Sequence, residues 1–254
     1  MYVTLAGEPL LAYLLASVRI VAWLVVVPPF STRAVPTMVK VILSLGLALA
    51  IAPSLAQAEV PTSLPGLVVT VVTQAATGAA LGFVTSLMFA AVAAAGSLVD
   101  VFGGFALAQG FDPLGQQGST VFGTFHQWLF TMLLFASGGH LLVIGGLLRT
   151  FDLVPVGEMP QVADGPGLLT RIFTLFVVIS VQVALPMIAV LFVSDLGLAL
   201  MTKVAPQLNA LNVMFPAKIG MTLVLVGLSF PVLTTVVERV VEHAMRAMAA
   251  LMGG

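Results

Sequence analysis

A chain of 254 residues that is 60% hydrophobic and only 7% charged cannot cover a soluble surface, because soluble domains carry about 25% charged residues. Its mean hydropathy of +1.17 and net charge of −1 describe an integral membrane protein without the basic surface that nucleic acid requires. The lack of cysteine excludes disulfides, thiolate catalysis, Fe–S clusters and thiolate-bound zinc.

Charge-free intervals mark hydrophobic segments at 10–30, 41–56, 67–99, 121–148, 172–204 and 219–237. A helix that crosses a bilayer needs about 20 apolar residues. No basic stretch and no small-residue cleavage site accompany the first segment, so it is expected to be retained rather than removed as a signal peptide. Arg19 lies inside it. An intramembrane cation is costly, so Arg19 is read either as a structural ion pair or pathway residue, buried against a carboxylate or backbone carbonyls, or as a side chain that snorkels to an interface. The second segment is short for a span. Arg33 and Lys40 make the loop before it cytoplasmic by the positive-inside rule; the loop at 57–66, with Glu59 alone, fits the opposite side, and Arg239 with Arg246 favours a cytoplasmic C-terminus.

The segments at 67–99 and 172–204 would reach about 50 Å as straight helices, against a hydrocarbon core of about 30 Å. Steep tilt, a helical hairpin or projection beyond the bilayer would each resolve this. Gly78 and Gly82, or Gly96, could break the first, and Pro186 could kink the second. Gly78 and Gly82 form a GxxxG pattern, which permits close helix packing. None of the runs shows the two-residue alternation of a barrel strand, so helices are expected throughout.

Residues 100–120 mix glycines at 103, 104, 110, 115 and 118 with Phe102, Phe105 and Phe111. That stretch is too irregular for a span and too apolar for a typical loop. It is either an ordinary surface loop or backbone that is packed in protein or lines a wet cavity. No Gly-Lys-Ser/Thr follows, so it is not a phosphate loop. Residues 149–166 contain Pro155, Pro160 and Pro166 and read as an extended connector. Residues 205–218, with Pro206, Gln207, Asn209, Pro216 and Lys218, read as the tight turn of an antiparallel helical hairpin. At 238–252 a stripe of Val241, Met245, Met248 and Met252 lies opposite Glu238, Glu242 and Arg246, an amphipathic end expected to dock on a partner or an interface.

Catalytic patterns are absent. His126, His140 and His243 have no second ligand at metal spacing, and Asp100 and Asp112 make no acid/base pair. Ser137-Gly138-Gly139-His140 is not a G-x-S-x-G elbow. The expectation is a protein that is not an enzyme and takes no cofactor and no metal.

Several short motifs occur in a telling order: Arg19, Pro28-Pro29-Phe30, Val35-Pro36 and Lys40; Phe111-Asp112-Pro113; Gly139-His140, Thr150-Phe151 and Leu153-Val154-Pro155-Val156-Gly157; Ala184-Leu185-Pro186 and Leu196-Gly197-Leu198; Ala205-Pro206-Gln207-Leu208-Asn209 and Phe215-Pro216-Ala217-Lys218. Along nearly the whole chain they resemble the FliR family of flagellar biosynthesis proteins, an export-gate family shared with injectisome type III secretion. The last of these motifs is more similar to the flagellar branch.

The resemblance implies an all-α polytopic membrane protein of long helical hairpins. Residues 1–167 would be a FliP-like part and 168–254 a FliQ-like hairpin, with no fused FlhB-like domain. It implies a structural subunit of the flagellar type III export gate, in the bacterial inner membrane at the flagellar basal body. Implied partners are FliP-like and FliQ-like subunits, an FlhB-like protein, membrane lipid and exported unfolded flagellar proteins. The family's pore plug would fall at about 103–118, around Gly110, Phe111, Asp112 and Pro113. The alternatives are an injectisome subunit or a small-solute transporter; a transporter would carry ionisable groups and related halves at mid-membrane, which this sequence lacks.

Overall fold

The computed structural model describes residues 7–55, 58, 60–105, 120–160, 165–204 and 210–254. All regular structure among them is α-helical: α1 (Gly7–Val26), α2 (Thr37–Ala50), a single turn α3 (Ala52–Leu55), α4 (Leu64–Gly103), α5 (Val121–Ala136), α6 (Gly139–Leu153), α7 (Gly165–Val204) and α8 (Ala210–Leu251). α1, α4, α7 and α8 are each long and apolar enough to cross a bilayer. The chain is an all-α polytopic membrane protein.

Proline punctuates this pattern. Pro9, Pro65 and Pro166 each fall in the first turn of a helix, where a missing N–H costs nothing. Pro155 ends α6 by holding Val154 in extended conformation (φ −134°, ψ 93°). Gly104, at φ +84°, closes α4 in the left-handed conformation that suits glycine after a helix.

The helices assort into two compact units. One comprises Met1–Met88, Gly138–Phe173 and Val241–Gly254; the other comprises Phe89–Ser137 and Thr174–Val240. In the first, α1 and α2 pack together, and the Tyr13 hydroxyl donates to the Leu45 carbonyl at 2.8 Å. α1 also lies directly on α4. A Cβ on Gly78 would collide with the Arg19 carbonyl oxygen, and one on Gly82 would stand 2.8 Å from Val26 Cβ. The GxxxG pattern therefore seats two helices of this chain on each other. Trp23, Ile20 and Leu24 are fully buried along the same α1 face.

The second unit is centred on Ala95, Val99, Phe122, Ala184, Met187 and Val226, which join α4, α5, α7 and α8. Asp195 pairs with Lys218 at 2.8 Å, and the Ser194 hydroxyl lies 2.7 Å from Met221 Sδ. Met187 and Val226 meet farther from the turn. Contacts that advance along α7 while retreating along α8 define an antiparallel hairpin.

One open alternative is decided and three sequence expectations change. α4 runs unbroken for 40 residues through Gly78, Gly82 and Gly96, because apolar surroundings offer nothing to replace a broken backbone hydrogen bond, while a helical glycine costs only about 1 kcal/mol. The segment at 121–148 is instead broken at Ser137–Gly138, where Gly138 has φ +74°. The hairpin turn is shorter than 205–218: Pro216 and Lys218 lie inside α8, which begins at Ala210. The same protection of backbone hydrogen bonds lets α8 tolerate Pro216. Finally, the C-terminal stripe docks within the chain. Val241, Met248 and Met252 are buried, and Met248 Cε and Met245 Cγ come to 3.0 and 3.1 Å of a Cβ position on Gly146 in α6. Glu242 and Arg246 form an ion pair on the exposed side.

Candidate functional site

Two buried polar clusters stand out, one in each unit. In the first, Arg19 is fully buried. Its Nε donates to Gln74 Oε1 at 2.7 Å. Nη1 and Nη2 each donate to the Val154 carbonyl at 3.0 Å, and Nη1 also reaches the Thr150 carbonyl at 3.4 Å. The guanidinium carbon sits 4.1 Å from the centre of the Phe151 ring. Thr150 to Val154 are the last turn and C-cap of α6; the Thr150 carbonyl also accepts the Val154 N–H at 3.0 Å, whereas the Val154 carbonyl lies past the last helical bond, and this terminus carries the negative end of the helix dipole. The cation is thus paired without any carboxylate. Carbonyl oxygens, a dipole end and an aromatic face together replace the water it has lost. Arg19 does not snorkel.

In the second unit Asp100, near the end of α4, is also fully buried. Its Oδ2 accepts from the backbone N–H of Phe122 at 2.8 Å and of Gly123 at 3.2 Å. These are free donors in the first turn of α5. Thr120 is the α5 N-cap, and its Oγ1 accepts from the Gly123 N–H at 3.2 Å and lies 2.8 Å from Ser97 Oγ. His126 donates from Nδ1 to the Phe122 carbonyl at 2.8 Å. A Cβ on Gly96 would collide with that same carbonyl, so α4 and α5 touch backbone to backbone. Among the described residues, Asp100 Oδ1 and His126 Nε2 are enclosed without a hydrogen-bond partner, as is Gln74 Nε2 in the first unit.

Sequence reasoning misses Asp100 as a site residue: it stands at the border of a long uncharged interval, whereas Arg19 stands inside an apolar run. The partners of Asp100 are backbone N–H groups, which no side-chain motif announces. Of the residues named from sequence, Arg19 has the surroundings just described, and Pro216 and Lys218 lie in α8. Gly110, Phe111, Asp112 and Pro113, and the turn residues Pro206, Gln207 and Asn209, lie outside the described residues. No group of three or more possible metal ligands occurs among the described residues, which include His140 and His243.

Each polar cluster fastens one helix end to another helix. An open cavity of about 360 Å³ in the first unit is lined by Pro53, Ser54, Leu55, Phe151, Asp152 and Pro155, among others.

Comparison with known proteins gives this framework a lineage. The chain is 28% identical to the flagellar biosynthetic protein FliR of Bacillus subtilis over 248 residues, covering 95% of this chain and 96% of the relative. It is 30% identical to FliR of Pectobacterium carotovorum over 92% of this chain and 90% of the relative. The Yop proteins translocation protein T of Yersinia pestis is 28% identical over 68% of this chain and 64% of that protein. A family model described as bacterial export proteins, family 1, matches residues 10–244. The chain belongs to that family of bacterial export proteins.

Proposed function

We propose that this chain is a structural subunit of the flagellar type III protein-export gate. It binds neighbouring subunits, helps shape the channel and performs no chemistry of its own. The observation that carries this reading is the apolar surface of the hairpin. Exposed large apolar residues run along α7 from Leu169 and Phe173 through Phe192, Val193 and Leu200 to Val204. Those positions span about 50 Å at 1.5 Å per residue, whereas the hydrocarbon core covers about 30 Å. Lipid tails cannot shield all of that face. Protein must cover the remainder, since exposed apolar area of this extent marks an interaction surface.

On this reading the neighbours are FliP-like and FliQ-like subunits and an FlhB-like protein, and the cargo is unfolded flagellar protein. The site is the bacterial inner membrane at the flagellar basal body. Residues 1–167 act as the FliP-like part and 168–254 as the FliQ-like hairpin. Residues 103–118, with Gly110, Phe111, Asp112 and Pro113, act as the pore plug: apolar side chains exclude water from a constriction, and glycines let the backbone move aside. The matches that span 90% or more of the relative are to the flagellar proteins of Bacillus subtilis and Pectobacterium carotovorum, which supports the flagellar role.

Purification of the tagged chain from its native membrane in mild detergent tests the assignment. FliP-like and FliQ-like chains should co-purify in fixed proportion. A monomer or homo-oligomer that transports a small solute would overturn it. Shortening 103–118 tests the plug separately: cells should leak ions while the complex still assembles.

A further inference from the structure

α2 is patterned inside out. The stripe that it buries is Lys40, Ser44 and Ala48, four residues apart on one helical face. The side that it exposes carries Met38, Ile42 and Leu49, at 70, 62 and 66% exposure. Ser44 satisfies its hydroxyl on the Val41 carbonyl at 2.7 Å. Lys40 has no such partner: the two ion pairs among the described residues are Lys218–Asp195 and Arg246–Glu242. Lys40 is 8% exposed, yet its ammonium is not among the enclosed unpartnered atoms, so the stem is covered and the charge reaches the surface.

A helical side chain leans back over the turn before it. Lys40 is the fourth residue of α2 and therefore carries its charge toward the start of the helix. That end is itself positive. Pro36 caps it without any side-chain hydrogen bond, and no acid occupies the first turn. The N–H groups of Thr37 and Met38 precede the first intrahelical bonds, and the helix dipole adds partial positive charge. Arg33 is exposed just before, and no Asp or Glu occurs between Glu8 and Glu59. Two cations and a helix N-terminus therefore fall within one short stretch of chain that holds no acid.

We propose that this end of α2 binds the phosphate of an anionic phospholipid, whose acyl chains lie along Met38, Ile42 and Leu49. The 14 residues of α2 span about 21 Å, too short to cross the bilayer but long enough to hold the chains of one leaflet. A partner's carboxylate would satisfy the cations but leave the apolar face without an occupant. The lipid occupies both. The proposal needs the chain to sit in a bilayer and is independent of its role in export.

The test measures phosphatidylglycerol retention by the purified protein complex in phosphatidylcholine nanodiscs, by mass spectrometry. Lys40→Gln or Arg33→Gln should each weaken binding about fivefold, and the pair about thirtyfold, at about 1 kcal/mol per cation near a lipid surface. Lys203→Gln should change nothing. Met38→Ser with Ile42→Ser, which leaves the cations in place, should also weaken binding, and it serves as the second variant if loss of Lys40 impairs folding. Equal retention by wild type and the double Gln variant would overturn the proposal. So would displacement of the lipid by millimolar inorganic phosphate, which would identify a site for free phosphate, or a cross-link from Lys40 to an acidic residue of a co-purified subunit.

Discussion

α4 and the two hairpin helices are matched in length, at 40, 40 and 42 residues, and all are apolar, yet they place their side chains differently. Within the stretches fit to cross a membrane, 56% of α4 is buried by the rest of the chain, against 28% of α7 and 22% of α8. The difference follows from residue size. α4 is rich in glycine and alanine, and at Gly78, Gly82 and Gly96 another backbone element comes directly against it. α7 and α8 instead direct Val193, Leu200, Leu228 and Val232 outward. In a membrane, where hydrophobicity does not distinguish lipid from protein, small residues select close packing. α4 is accordingly an internal scaffold, and the hairpin is a surface that other molecules complete.

The largest expected effect comes from breaking the internal side at its polar centre. Arg19→Leu removes every donor to Gln74 Oε1 and to the Val154 carbonyl and leaves these buried groups unpaired. Each buried neutral acceptor left without its donor costs about 1–3 kcal/mol. The thermal unfolding temperature of the purified protein in detergent should fall accordingly. Arg19→Lys should recover only part of it, because an ammonium lacks the planar fork that reaches Gln74 and two carbonyls together. An unchanged unfolding temperature in Arg19→Leu would show that α6 is anchored elsewhere.

Next in size is the backbone contact itself. Gly78→Ala places a methyl group against the Arg19 carbonyl oxygen and 2.9 Å from Ala22 Cβ. Neither neighbour is a flexible side-chain end, so α1 and α4 must separate. Overpacking of this kind costs about 1–3 kcal/mol. Gly145→Ala in α6 meets open space and should be neutral or slightly stabilising, because alanine favours the helix. The two variants together, followed by thermal unfolding, separate close packing from simple glycine flexibility.

How far the sequence disclosed this arrangement depended on what kind of group does the holding. Arg19 was conspicuous as a cation within an apolar run, and the long helices followed from charge-free intervals. The partners of Arg19 were not legible, because carbonyls more than 130 residues away leave no trace in residue identity. Asp100 has the same difficulty, since its partners are backbone N–H groups. The break at Ser137–Gly138 was hidden by uniform apolarity on both sides. Pro216 suggested a turn because proline disfavours helices in water; with apolar surroundings, the unbroken backbone ladder wins and α8 starts earlier. The C-terminal methionine stripe announced a docking face without saying that the mate, Gly146 in α6, belongs to the same chain.

The external side gives a smaller effect on stability and a distinct readout. Leu228 is 69% exposed on α8. Leu228→Ser should leave the unfolding temperature of the isolated chain nearly unchanged, as surface substitutions stay within about 0.5 kcal/mol. It should still reduce co-purification of neighbouring subunits. Loss of chain stability with intact assembly would reverse the assignment of α8 as an outward-facing helix.

The smallest effect is expected at the ion pair between α7 and α8. Lys218 Nζ meets Asp195 Oδ2 at 2.8 Å, but the side chains keep 20% and 36% of their exposure, so screening limits the pair to about 1 kcal/mol or less. Lys218→Met should lower the unfolding temperature by no more than about 2–4 °C. What the pair contributes is register. One helical turn of slip along α7 would separate the charges and also carry Ser194 away from Met221. Because the chain has no cysteine, Ser194→Cys with Met221→Cys reports that register directly through oxidative cross-linking. Cross-linking should be efficient in the otherwise native chain, fall when Lys218→Glu is added, and recover when Asp195→Lys is combined with Lys218→Glu. Failure of the charge swap to restore it would place control of the register in the apolar contacts of Ala184, Met187 and Val226, and would make the ion pair a consequence of hairpin alignment.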